Sequence, residues 1–152
     1  MKLLTRILSL AILVSGTLYF TACDDGEGEK KSEKEEQIDK LVGAWNVSAA
    51  TYDGEDQMDD YGVMQIAIAR ASADALTFTV TGRPEKLTPW PASGTFTFGS
   101  PITSKLIRDD GVEITYAVSG NNLTFTMENY SGTGYEGRTS TVAGDWVFTF
   151  DK

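Results

Sequence analysis

The strongest constraint on this chain is a period of two. Leu76, Phe78 and Val80 alternate with Thr77, Thr79 and Thr81, and Val112, Ile114, Tyr116 and Val118 alternate with Glu113, Thr115 and Ala117. Leu123, Phe125 and Met127 alternate with Thr124 and Thr126, and Trp146, Phe148 and Phe150 with Val147 and Thr149. Successive side chains of a strand point to opposite faces, so each run buries one apolar face and shows a threonine-rich one. A helical period of 3.6 does not fit them. Shorter runs at Trp45 to Tyr52, Val63 to Arg70, Thr95 to Phe98 and Thr103 to Arg108 bring the expectation to about eight strands.

The joints between runs are hairpin chemistry. Asp109-Asp110-Gly111 and Gly120-Asn121-Asn122 fall between consecutive runs, and such residues accept the positive φ of tight turns. Thr103 to Met127 therefore reads as a three-stranded meander. Consecutive strands with no helical crossover predict an all-β fold: a small up-and-down antiparallel β-barrel over residues 41–152, which hides its edges by closing on itself. A β-sandwich is the alternative. One short acidic helical turn is expected at Glu55 to Tyr61.

Residues 1–22 have a different character. Lys2 and Arg6 precede an apolar run from Ile7 to Phe20, and small residues then lead into Cys23. This is the layout of a secretory signal peptide; a largely apolar run of 14 residues falls short of the roughly 20 that a spanning helix needs. Residues 23–40 follow as an acidic, flexible tether, since Asp24 to Lys40 has almost no apolar side chains to bury. Charge pairs such as Glu36 with Lys40 support at most a transient helix there. Setting aside Lys2 and Arg6, 22 acidic side chains face 11 basic ones, a balance that repels nucleic acid and favours solubility.

Cys23 is the one cysteine, so no internal disulfide forms and the barrel rests on packing and strand pairing. Thr21-Ala22-Cys23, preceded by Phe20, resembles a relaxed bacterial lipobox. That resemblance implies cleavage before Cys23 and acylation of its sulfur, anchoring an exported protein to the outer membrane on its periplasmic or cell-surface face. Gly43-Ala44-Trp45 resembles the Gly-x-Trp element of lipocalins, in which the indole closes one end of an eight-stranded barrel. The run Trp90 to Phe98, the segment Arg108 to Ile114 and the ending Val142 to Phe148 are similar to the small lipocalin-like lipoproteins of Bacteroidetes. In lipocalins an arginine lies across the tryptophan. Here Arg138 and Arg108 are the candidates for that position.

Chemistry is sparse. With no histidine and no second thiol, the commonest general base and metal ligands are missing, so no enzyme activity, cofactor or metal is expected. Asp109 and Asp110 read as turn residues, and Asp53, Glu55, Asp56, Asp59 and Asp60 as a solvated acidic loop without calcium-loop spacing. The aromatic residues say more. Trp45, Phe78, Tyr116, Phe125, Trp146 and Phe148 are expected to line or close the lumen, and an eight-stranded barrel is just wide enough to be filled by side chains or to hold one small ligand. Trp90, set between Pro89 and Pro91, and Tyr130, Tyr135 and Arg138 on a glycine-rich stretch, are expected as loop contacts, with the alternative that the loop aromatics fold back to cap the core. Two functions follow: a membrane-anchored barrel binding a small apolar or amphipathic ligand, or a surface-displayed module with a filled barrel that meets a glycan or protein partner.

Overall fold

The barrel is present. In the computed structural model, which describes residues 30–85, 88–132 and 142–152, the elements are α1 (Glu33–Leu41), β1 (Gly43–Tyr52), β2 (Glu55–Asp56), α2 (Met58–Tyr61), β3 (Gln65–Arg70), β4 (Ala75–Thr81), β5 (Ser93–Phe98), β6 (Lys105–Arg108), β7 (Glu113–Ser119), β8 (Asn122–Tyr130) and β9 (Gly144–Asp151). Every pairing is antiparallel, and neighbours in the chain are neighbours in the sheet from β3 to β9. β1 then pairs with both β3 and β9, closing eight strands into a ring; β2 is a two-residue hairpin arm on the end of β1.

β1 serves both neighbours by dividing its length. Gly43 to Asn46 pair with Ile68 to Gln65 of β3, whereas Asn46 to Tyr52 pair with Asp151 to Trp146 of β9 across a bulge between Val47 and Ala49. The bulge bends the strand, which closing a small barrel requires. Alternation holds as the sequence predicts: Leu76, Phe78 and Val80 point inward and Thr77, Thr79 and Thr81 outward. On β7 to β9, Ile114, Tyr116, Leu123, Phe125, Met127, Trp146, Phe148 and Phe150 are all buried.

The barrel has two unlike ends. At the helix end lie α1, the β3–β4 and β7–β8 hairpins and the segment from Gly99 to Ser104. At the other end, here the Trp90 end, lie the β1–β2 turn, α2, residues 82–85 and 88–92, and the turn after Arg108.

The helix α1 corrects the expectation of a flexible tether through Lys40. Ser32 caps its N-terminus in a reciprocal capping box with Glu35, and Glu33, Glu35 and Glu36 occupy the first turn with Lys40 in the last, which suits the helix dipole. Gln37, Ile38 and Leu41 are buried at spacings that share one helical face. The sheet supplies the apolar surface that the acidic segment lacks by itself. Exposed pairs from Lys34 to Asp74 and from Asp39 to Arg70 tie α1 to the β3–β4 hairpin. The expected acidic turn from Glu55 to Tyr61 is β2 followed by the single turn of α2, which buries Tyr61.

Candidate functional site

Both ends of the barrel are closed by the same device. At the helix end, Gly43 takes φ 143° so that Trp45 can turn inward, and the Trp45 indole N–H donates to the Leu41 carbonyl at 2.8 Å. Lys152 covers the ring, its Nζ 4.1 Å from the ring centroid, and donates to the carbonyls of Val42 at 2.9 Å and Lys40 at 3.3 Å. A Cβ at position 43 would stand 2.8 Å from Lys152 Cε, so a side chain there would push that cover aside as well as strain the backbone at φ 143°.

The Trp90 end repeats the pattern at Gly144-Asp145-Trp146. Gly144 takes φ 152°, and the Trp146 indole donates to the Val142 carbonyl at 3.0 Å. Here the cover is Tyr52, its ring 4.7 Å from Trp146, and a Cβ at 144 would stand 2.4 Å from Tyr52 Cε2. Because β1 and β9 are antiparallel neighbours, each strand's end covers the tryptophan at the other's beginning. The cation over Trp45 is thus Lys152, not Arg108. Arg138, the other candidate, lies outside the described residues, as do Cys23 and Tyr135.

The lumen residues are all inside, but they form two groups. Trp45 and Tyr116 belong to the helix end, where the Tyr116 hydroxyl reaches the Ile102 carbonyl and the Gln37 side-chain oxygen, the latter at 3.3 Å. Burial pushes the Tyr116 hydroxyl up to about 12. Phe78, Phe125, Trp146 and Phe148 belong to a ring network nearer the Trp90 end. Trp146 stacks on Phe148 with centroids 5.7 Å apart, and Phe78 stacks on Phe96 at 4.3 Å.

Trp90 stands at the centre of that network, so of its two expected roles, loop contact and cap folded back on the core, the structure shows the second. Its ring meets Phe78 at 6.0 Å, Phe125 at 5.8 Å and Phe148 at 5.7 Å. The reason is geometric: between Pro89 and Pro91 the chain cannot join a ladder, so its largest apolar side chain is free to turn inward. Tyr130, the other expected loop contact in the described residues, is also buried, as the last residue of β8.

Arg108 holds this arrangement. It is buried beneath Trp90, its Cζ 5.7 Å from that ring and 6.0 Å from Tyr130. Its Nε and Nη2 donate to the two Asp110 carboxylate oxygens at 2.8 and 2.7 Å, and its Nη1 donates to the Pro89 carbonyl at 2.8 Å. A buried guanidinium needs such a fork-to-fork partner to offset its lost hydration. Asp110 is therefore more than a turn residue, while Asp109 accepts from the Thr95 N–H at 3.2 Å.

Among the described residues, two buried side-chain polar atoms have no hydrogen-bond partner: the Tyr61 hydroxyl and Trp90 Nε1. Both are at the Trp90 end. Tyr61 packs edge-on against Phe148 at 5.1 Å, and its hydroxyl faces Thr88 without the geometry of a hydrogen bond. Burial pushes it up to about 12. The neighbouring acidic residues have structural work, with Asp53 accepting from the Asp145 N–H at 2.7 Å and Asp56 from the Met58 N–H at 3.0 Å. No group of three or more potential metal ligands comes together among the described residues.

Among the described residues, the Trp90 end offers π-faces, a buried cation and two unpartnered donors. Comparisons with protein-family models, with curated proteins and with solved structures find no match, so the reading rests on this geometry alone.

Proposed function

We propose that this chain is a non-enzymatic, lipid-anchored protein of the cell envelope whose barrel binds a small apolar or amphipathic molecule at the Trp90 end. The supporting observation is that both unpartnered buried donors lie against the same aromatic network, where unmet hydrogen-bonding capacity marks a place prepared for an acceptor. The anchor is the acylated sulfur of Cys23, as the lipobox resemblance implies. Titrating lipophilic fluorophores and fatty acids into the purified protein tests the binding. Saturable binding weakened by Phe78→Leu is expected, and no saturable binding of any probe would remove this reading. Metabolic labelling with a palmitate analogue, lost in Cys23→Ala, tests the anchor.

A second reading is favoured by one observation: ring contacts run from Tyr52 through Trp146, Phe148, Trp90 and Phe125 to Phe96. A barrel filled in this way is a rigid platform, displaying its threonine faces and end loops to a glycan or protein partner. Capture of such a partner by a protein that takes up no small probe would favour it.

A further inference from the structure

The network of rings poses a question that the two readings answer differently: is Trp90 a permanent part of the core, or the occupant of a site? We infer that Trp90 is a built-in occupant, and that the place it fills is a binding site for a planar aromatic molecule of about the size of an indole. This deepens the small-ligand reading and rests on it.

Three observations carry it. The walls and the occupant come from different kinds of structure. Phe78 on β4, Arg108 on β6, Phe125 on β8 and Phe148 on β9 are held in the closed ladder, whereas Trp90 comes from a segment outside any strand. Withdrawing Trp90 therefore breaks no ladder hydrogen bond. Near Trp90 the described ties are the bond from the Trp90 N–H to Thr88 Oγ1 at 3.2 Å, that from Arg108 to the Pro89 carbonyl, and the backbone bond from the Val80 N–H to the Ala92 carbonyl at 2.8 Å, which holds the segment's end and not the indole.

The second observation is how Trp90 is held compared with the other two tryptophans. Trp45 and Trp146 each donate their indole N–H to a carbonyl, at 2.8 and 3.0 Å. Trp90 Nε1 donates to nothing. The surrounding groups hold it by shape and ring face alone, a form of recognition that any planar ring system of similar outline satisfies. The third is the face presented by Arg108, whose Cζ lies 5.7 Å from the ring centroid. A cation at that position selects an electron-rich aromatic face over an aliphatic chain. The Tyr61 hydroxyl, packed on the same Phe148 ring, suits a ligand that bears a hydroxyl or carbonyl acceptor.

The test follows the indole N–H signals of the 15N-labelled full chain in detergent, titrated with unlabelled 2-naphthol and, separately, with octanoate. The expected result is a saturable shift of the Trp90 signal to the position of a water-exposed indole with 2-naphthol, with the Trp45 signal unmoved and octanoate without effect. In parallel, Trp90→Gly, which opens the place without an occupant, is expected to gain thermal midpoint on addition of indole. If Trp90→Gly takes up indole while the native Trp90 signal stays fixed at the same probe concentration, Trp90 is permanent core and the inference fails. If octanoate or a fluorophore binds without moving Trp90, the inference fails and the small-ligand reading survives. If no probe binds the native protein, both fail. The native-chain measurement decides the matter even where Trp90→Gly does not fold.

Discussion

The two ends of this barrel are built on one plan and finished to different standards. Each has a glycine in an unusual conformation, a tryptophan two residues on, an indole bonded to the carbonyl four residues back and a cover supplied by the neighbouring strand. At the helix end, the buried polar groups of Trp45, Tyr116 and Gln37 all have partners. At the Trp90 end, a third tryptophan is inserted, a cation is buried beneath it and two donors go unmet. An unmet buried donor costs about 1–3 kcal/mol, a large share of a small domain's net stability. Closure alone does not explain the Trp90 end, since among the described residues the helix end achieves closure without an unpartnered buried side-chain group.

The comparison can be broken most forcefully through the tryptophans. Trp45→Ala and Trp90→Ala are each expected to cost about 3–5 kcal/mol in urea unfolding, and Trp45→Ala the more of the two because it also strands the Leu41 carbonyl. A larger loss at Trp90 would make it the better-anchored residue and undo the contrast. The cations come next. Arg108→Met is expected to cost about 1–3 kcal/mol by releasing the Pro89 carbonyl and the Asp110 carboxylate, against about 1 kcal/mol for Lys152→Met, whose ammonium sits at the surface over Trp45.

The hydroxyls sharpen it. Tyr116→Phe is expected to cost about 1 kcal/mol for its lost hydrogen bond, whereas Tyr61→Phe should leave stability unchanged or raise it by up to about 1 kcal/mol, since it removes an unmet donor. Destabilisation by Tyr61→Phe in equilibrium unfolding would show that its hydroxyl is satisfied after all. The smallest effect is the pH dependence. Both hydroxyls titrate near 12 in the folded chain and near 10 when unfolded, so between those values the unfolded state releases protons first. Stability present below about pH 10 is lost as pH rises toward 12, and Tyr61→Phe should make that fall shallower in denaturant titrations across the window.

Much of the barrel was legible because its signal is local. Thr77, Thr79 and Thr81 point outward for the same reason that they alternate in the sequence, and the Asp109-Asp110-Gly111 turn lies where the hairpin chemistry puts it. Two local signals went unread. Ser32 followed by Glu35 is a capping box, and Asp53-Gly54, both at positive φ, is the two-residue turn that makes β2. The rest was not local. Ile38 and Leu41 bury only because an open barrel end meets them. Trp90 turns inward only because strands distant in sequence leave a space of its shape. Lys152 covers Trp45 only through the β1–β9 pairing, which nothing near either residue announces.

That pairing has a consequence for how the chain comes into being. β9 is the strand that meets β1, so while it is missing both β1 and β8 show bare backbone donors and acceptors along one side. A chain emerging N-terminus first cannot seal the barrel until β9 has arrived, and must join partners more than a hundred positions apart, such as Asn46 and Asp151. Throughout emergence it is adhesive on two flanks, and a truncation within β9 would leave it so for good.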